Sequence, residues 1–241
     1  MNPLILIPAR MAATRLPGKP LADIGGKPMI VRAYEQAVRS GLPVAVAAGD
    51  PEIVAVIEAI GGRAVLTDPA LPSGSDRIRA AVEAIDPVGA HDAVINLQGD
   101  MPFAEPGLAT ACAALLRDQP GCDIATLVAP EADITDRSNP DVVKAVLAMT
   151  EDETRGRALY FTRSTLYGDG PVWRHVGIYG YRREALMRFC AAPPSPLEKR
   201  EKLEQLRALE LGLEIFAAVI GEAPISVDNP ADLEAARAQA V

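Results

Sequence analysis

Aromatic side chains supply only 4% of the 241 residues, so the core of this chain must be laid down mainly in Ala, Val, Leu and Ile. No apolar run approaches the ~20 residues that a membrane-spanning helix needs. No secretory leader is legible, because no charged segment at the N-terminus feeds a long apolar run. Cysteine is scarce, and Cys112, Cys122 and Cys190 are too far apart for metal-ligand spacing and odd in number for a full disulfide framework. A reducing cytoplasm is the expected location. Positive charge is in deficit: 24 Lys and Arg against 32 Asp and Glu give a net charge of -8. That balance argues against nonspecific binding to nucleic acid or to an anionic membrane. Two nucleotide signatures are also missing. There is no Gly-x-x-x-x-Gly-Lys-Ser/Thr loop and no Gly-x-Gly-x-x-Gly fingerprint, which disfavours ordinary ATPase and NAD readings.

What remains is a chain that is 49% hydrophobic and 23% charged, able to bury a sizeable core. Its charge is unevenly spread. Residues 1–40 hold six cations, Arg10, Arg15, Lys19, Lys27, Arg32 and Arg39, against Asp23 and Glu35. A local basic patch on an acidic protein suits a small anionic ligand better than a polymer.

Short apolar runs alternate with helical patterns. Strands are expected at 3–7, 44–48, 63–66, 93–97 and 123–128. Helices are expected at 29–38, 51–60, from 77 to 85 after a loop Ser73–Arg77, and at about 105–117. Continuous apolar strands between helices predict a Rossmann-like, doubly wound, mostly parallel sheet covered on both faces. From about 129 the rhythm turns mixed, with strands at 142–147, 158–161 and 172–182 and a polar turn at 151–157. The pattern then returns to a helix from Ser195-Pro196-Leu197-Glu198 to about Leu211, a strand at 214–220, a short strand Ile225–Val227 and a terminal helix capped by Asn229. With no repeats and no long linker, the whole chain reads as a single domain with a mixed, β-rich insertion at 129–182.

The loop Arg10–Lys19 follows the first strand and strings three cations through Pro, Gly and Ala. Ligands of such sheets gather beyond the carboxyl ends of the strands, so this loop is a candidate polyphosphate clamp. An ordinary solvated loop is the competing reading. Asp100 lies at another strand end, in a turn marked by Gly99 and Pro102. Asp228 follows the short strand 225–227. Two carboxylates at strand ends suit a magnesium site for phosphates, although Asp228 also fits a simple capping acid. On the strand 172–182, His175, Gly177, Tyr179 and Tyr181 share one face; a structural strand with core tyrosines would look the same. Glu204 and Gln205 read as part of a solvated helix face, and His91 as a surface residue.

The ordered blocks carry a resemblance. Ile7-Pro8-Ala9-Arg10-Met11-Ala12-Ala13-Thr14-Arg15-Leu16-Pro17-Gly18-Lys19-Pro20-Leu21 resembles the opening signature of the 3-deoxy-manno-octulosonate cytidylyltransferases (CMP-Kdo synthetases). Ser73-Gly74-Ser75-Asp76-Arg77, Asn96-Leu97-Gln98-Gly99-Asp100, Ala158 to Arg163, His175 to Arg182, Leu203-Glu204-Gln205-Leu206-Arg207 and Val227 to Glu234 follow in order, across nearly the whole chain. The resemblance implies a nucleotidyltransferase-type fold and the reaction of CTP with Kdo to give CMP-Kdo and diphosphate, in lipopolysaccharide assembly. It implies that Pro8, Ala9, Arg10, Arg15 and Lys19 meet the triphosphate, with Arg15, Lys19 and Asp100 catalytic. Ser73, Gly74 and Arg77 would line the cytidine side. Asp100 and Asp228 would hold Mg2+. Gln98, Arg163, His175, Tyr179, Glu204 and Gln205 would bind the sugar, and segment 129–182 would serve sugar binding and a homodimer. Transfer to an amino-substituted Kdo or a sialic acid, and a non-catalytic nucleotide-binding protein, are the alternatives. Three departures from the family pattern stand out: Met101 where Glu is usual, Leu71 where many members carry His, and a short 164–174 connection.

Overall fold

A computed structural model describes residues 1–12, 16–131 and 134–240. The chain divides into two compact units, Met1–Thr110 with Pro224–Val241, and Ala111–Ala223.

The first unit is built on β1 (Pro3–Ala9), whose Leu4 to Ile7 are almost wholly buried. A Gly25-Gly26 turn joins β2 (Asp23–Ile24) to β3 (Lys27–Pro28), with both glycines at positive φ (56° and 79°) as a two-residue hairpin of this type requires. Helix α1 (Met29–Val38) buries Met29, Ile30, Ala33 and Ala37 along one stripe. Strand β4 (Val44–Ala48), helix α2 (Pro51–Ala59), strand β5 (Ala64–Leu66), helix α3 (Gly74–Ile85) and strand β6 (Ala93–Asn96) complete the alternation. The strands lie in the order β5-β4-β1-β6, all parallel. The β1/β4/β6 segments are short apolar runs with no polar face, because helices cover the sheet: α1 and α2 pack on β4, and α3 on β1. The unit boundary falls inside helix α4 (Pro106–Asp118).

The second unit holds β7 (Ile124–Pro130), β8 (Lys144–Met149), β9 (Arg155–Thr162), β10 (Trp173–Arg182), α5 (Arg183–Ala191), α6 (Pro196–Glu201), α7 (Gln205–Glu210) and β11 (Ile215–Val219). Its strands run β10-β7-β11-β9-β8, and β8 also pairs with β10, so the pairings return on themselves. Only β7 and β11 are parallel; the other pairs are antiparallel. Lys144 is completely buried here, its ammonium donating to the carbonyls of Asn139 (2.8 Å) and Arg163 (2.9 Å). The chain then returns to the first unit. There α8 (Pro230–Gln239) sends Leu233 and Ala236 into a cluster with Ile24, Met29 and Val227.

Four local expectations need correction. Ser73 to Arg77 is not a loop: Ser73 is the N-cap of α3, its Oγ accepting the Asp76 N–H at 3.1 Å, so Gly74 to Arg77 form the first turn. The expected helix from 196 to 211 is broken. Lys202 adopts a left-handed conformation (φ 56°) that ends α6, and α7 starts afresh at Gln205. Ile225 to Val227 form no strand, although the Val227 N–H binds the Asp100 carbonyl at 2.9 Å. The polar turn after β8 is shorter than expected, because the Thr150 N–H and hydroxyl both donate to the Arg155 carbonyl and close it, and β9 begins at Arg155.

Candidate functional site

The carboxyl ends of β1 and β6 border a cleft of about 330 Å³ in the first unit. Pro8, Ala9 and Arg10 line it from the end of β1, Ser73, Gly74 and Arg77 from the first turn of α3, and Gln98 and Asp100 from the turn after β6. Lys19 and Asp228 complete the wall. Every nucleotide or metal candidate that lies among the described residues therefore reaches this one cleft. Arg15 lies outside the described residues.

Two glycines let the loops close up. A Cβ on Gly99 would stand 3.1 Å from the Pro8 carbonyl and 3.2 Å from Ile30, so a side chain there would force apart the turns after β1 and β6. A Cβ on Gly49, just past β4, would meet the Arg77 guanidinium at 2.8 Å and the Arg10 Cβ at 3.0 Å. The third element of the floor is the chain after 224. A capping box on α8 has the Asp232 carboxylate accept the N–H groups of Asp228 (2.8 Å) and Asn229 (3.1 Å), which fixes the backbone of Asp228.

Lys19 occupies the centre. It opens a short 3-10 turn, Lys19–Leu21, after Gly18 in a left-handed conformation (φ 72°). Its ammonium donates to Asp100 Oδ2 and to the Val227 carbonyl, each at 2.8 Å, and lies 3.5 Å from Asp228 Oδ1. The two carboxylates read as metal ligands thus converge on one cation. Three oxygens of hard carboxylate and carbonyl type around a single position are the donor set that magnesium takes together with phosphate oxygens, so these residues fit that ion. They do not form a closed cage: no group of three His, Cys, Asp or Glu side chains placed to hold a metal occurs among the described residues.

The arginines of the cleft differ. Arg10 is exposed, with its Nη1 3.5 Å from the Leu71 carbonyl, so most of its donors remain for a ligand. Arg77 is buried and donates to Thr67 Oγ1 (2.6 Å) and the Asp68 carbonyl (3.1 Å). Burial and the neighbouring Arg10 charge lower its pKa, while Asp50 and Asp68 oppose them. It remains a cation, tying the 67–69 loop to α3. Asp50 and Thr67 were not among the sequence candidates. Asp50 holds the N-cap position of α2, but its carboxylate makes no cap bond; Oδ2 accepts the Met11 N–H at 2.7 Å and steadies the start of the Arg10 loop. An Asp just past a buried parallel strand is the signal that could have found it. Met101 turns into the core, only 6% exposed, instead of standing in the cleft.

In the second unit the structure brings together His175, Tyr179 and Glu204. A bulge interrupts the β10–β7 ladder, so Val176 faces Leu127 and Tyr179 faces Thr126. A Cβ on Gly177 within it would meet no described atom within 4 Å, so the glycine marks the bulge and not a close backbone neighbour. The shared face survives: ring centroids run Phe161–His175 5.0 Å, His175–Tyr179 5.4 Å and Tyr179–Tyr181 5.8 Å. The Thr126 hydroxyl donates to the Ile178 carbonyl at 2.9 Å, which leaves its oxygen to accept from His175 Nε2 at 3.0 Å. His175 is then a neutral ring with its proton on Nε2 and an acceptor at Nδ1. Burial agrees, pushing its pKa down to about 4. Burial and then the Glu204 charge raise the Tyr179 phenol, so it stays protonated.

Glu204 and Gln205 are not mid-helix; they stand at the start of α7, where the chain turns after Lys202. The Arg207 guanidinium grips Glu198 through two bonds, Nε to Oε2 at 2.7 Å and Nη2 to Oε1 at 2.6 Å, and lies 3.5 Å from Glu204 Oε1. It also stacks 4.6 Å over the Phe189 ring. Gln205 is 7% exposed, and its Nε2 finds no hydrogen-bond partner among the described residues. Such a buried donor is a place for a ligand oxygen. Arg163 follows β9, two residues after the Phe161 ring, and donates to the Pro140 carbonyl at 2.9 Å. Gln98 belongs to the first unit, its Nε2 3.3 Å from Asn96 Oδ1.

A parallel sheet with cations and paired carboxylates beyond its strand ends, followed by a mixed β-rich unit, is a nucleotidyltransferase-type α/β fold. A cytidylyltransferase from Leptospira borgpetersenii, 16% identical, shares it with a TM-score of 0.65 over 98% of this chain and 85% of that one. The cytidylyltransferase family model matches residues 4–215, and the chain belongs to that family. The 3-deoxy-manno-octulosonate cytidylyltransferase of Parvibaculum lavamentivorans is 57% identical over 98% of this chain and 92% of its own length. A solved CMP:2-keto-3-deoxy-manno-octonic acid synthetase, in complex with CTP, is 36% identical and superposes with a TM-score of 0.91, covering 99% of this chain and 98% of that one.

Proposed function

We propose that the protein transfers the cytidylyl group of CTP to 3-deoxy-manno-octulosonate, giving CMP-Kdo and diphosphate. The observation that carries this reading is the convergence of Lys19, Asp100 and Asp228 in a cleft flanked by Arg10, within a chain 57% identical to a protein of that name. The sugar's anomeric hydroxyl attacks the α-phosphorus, the bond to the bridging oxygen breaks, and diphosphate leaves with the electron pair. The hydroxyl proton passes to solvent.

Such a transfer depends on positioning and on charge placed where the phosphates develop it. Arg10, with its fork of donors, suits non-bridging phosphate oxygens. Lys19 and Arg15 oppose the charge that accumulates on leaving diphosphate. Ser73, Gly74 and Arg77 hold the nucleoside side. Asp100 and Asp228 hold magnesium, which when bound supplies charge to the triphosphate and acidifies the attacking hydroxyl. Gln98, His175, Tyr179, Glu204 and Gln205 are neutral or acidic partners for sugar hydroxyls, and Arg163 is the partner for the sugar carboxylate. A cytoplasmic homodimer joined through 129–182 and serving lipopolysaccharide assembly completes the reading, supported by the family resemblance.

The test is diphosphate release with CTP, magnesium and a panel of Kdo, amino-substituted Kdo and sialic acid. Release with Kdo is expected. Release only with another sugar reassigns the acceptor, and CTP binding without release from any sugar leaves a non-catalytic nucleotide-binding protein. Light scattering that gives a monomer refutes the dimer.

A further inference from the structure

Lys19 stands where a cation is wanted. Its ammonium sits 2.8 Å from Asp100 Oδ2 and the Val227 carbonyl and 3.5 Å from Asp228 Oδ1, so it takes up oxygens of the kind a divalent ion would use. The other described cations of the cleft are engaged differently: Arg77 with Thr67 and the 68–69 carbonyls, Arg10 toward the Leu71 carbonyl. An ammonium and a divalent ion within a few ångströms of each other repel strongly in a partly buried cleft. They cannot both be seated between the same two carboxylates.

We propose that Lys19 and a divalent cation are mutually exclusive occupants of the Asp100–Asp228 pair, and that the nucleotide's phosphates decide between them. The flexible four-carbon stem of Lys19 lets its ammonium follow the phosphate oxygens as they enter. Asp100 and Asp228 are released in that movement and become available to the cation only then. One lysine thereby serves twice, as a placeholder for the metal and as a phosphate partner, and it imposes an order: metal is retained with or after nucleotide, not before. This rests on the reading of Asp100 and Asp228 as metal carboxylates.

Mn2+ is the probe, with bound and free ion separated by electron paramagnetic resonance. Without nucleotide, Lys19→Met is expected to bind Mn2+ at least tenfold more tightly than the wild-type protein. Lys19→Gln, which keeps a donor for the Val227 carbonyl but no charge, is expected to show the same gain and guards against a folding defect in the first variant. Lys19→Arg keeps the charge and is expected to bind Mn2+ as weakly as wild type. Asp100→Asn added to Lys19→Met should abolish the gain. Equal nucleotide-free affinities in wild type and both neutral variants overturn the proposal. The metal reading beneath it has its own readout, the water-proton relaxation of the Mn2+–CTP complex bound to wild type and to Asp100→Asn. If that relaxation is unchanged by Asp100→Asn, the metal assignment falls; if it changes while the nucleotide-free affinities are equal, only the ordering falls.

Discussion

In the first unit the polar groups of the candidate site stand beyond the ends of parallel strands, and four of them, Arg10, Lys19, Asp100 and Asp228, carry full charges and remain partly open to solvent. In the second they project from an antiparallel ladder and a helix start, are buried deeper, and are mostly neutral: a His175 imidazole held uncharged, a protonated Tyr179, a Gln205 amide. Glu204 and Arg163 carry the charges there, and Arg207 stands beside Glu204. Under the proposed function the difference follows from what each would recognise. A triphosphate is a dense, strongly hydrated anion that responds to cations and metal ions. A sugar is a rigid set of hydroxyls, selected by directed hydrogen bonds whose partners must be desolvated to discriminate.

The contrast breaks most visibly at Asp100. Asp100→Asn should cut turnover on the order of 10²–10³-fold, the cost of losing one preorganised electrostatic group, while thermal melting and circular dichroism stay near wild type. An active Asp100→Asn enzyme refutes its metal role. In the second unit the largest effect should fall on stability. Burial works to raise the Glu198 pKa, but the Arg207 hydrogen bonds and charge outweigh it and hold Glu198 low. Arg207→Met strands that carboxylate and should cost about 3 kcal/mol, roughly 6–12 °C of melting temperature. It should also raise KM for Kdo more than it lowers kcat, by loosening Glu204; unchanged melting would show that the pair is replaced by solvent.

The smallest effect is a pH dependence. The folded His175 pKa is about 4 against an ordinary 6.5, so the unfolded chain binds the extra proton first. Its contribution to stability is intact above pH 6.5 and is lost as pH falls toward 4. The loss should reach about 2 kcal/mol at the acid end, allowing for the ring's partial exposure. Melting curves of wild type and His175→Gln should converge over that window, and parallel curves would remove His175 from the account.

Much of the first unit was legible because its strands are uninterrupted apolar runs between turn signals, a pattern set by burial on both faces. The charged candidates were legible too, since cations and carboxylates at strand ends have few structural reasons to gather. The buttresses were not. Asp50 and Thr67 act on a backbone N–H and on another side chain, and neither leaves a mark in the spacing. The break before Glu204 was hidden because Lys202, an ordinary helix former, takes a left-handed turn that glycine or asparagine would have announced. A glycine within a strand can mark either a close backbone neighbour or a bulge; Gly177 marks a bulge, because register is decided by the partner strand and not by the glycine's own neighbours.

The bond from the Val227 N–H to the Asp100 carbonyl has a consequence in time. Asp100 and Asp228 lie 128 positions apart in sequence, and all 113 residues of the second unit, 111–223, are made between them. During synthesis at 5–20 residues per second, the first unit must wait roughly ten seconds for the strap that completes its floor. Until then the strand end bearing Asp100 lacks both its backbone partner and its second carboxylate. The ribosome therefore delivers the second unit whole before it delivers a complete first one.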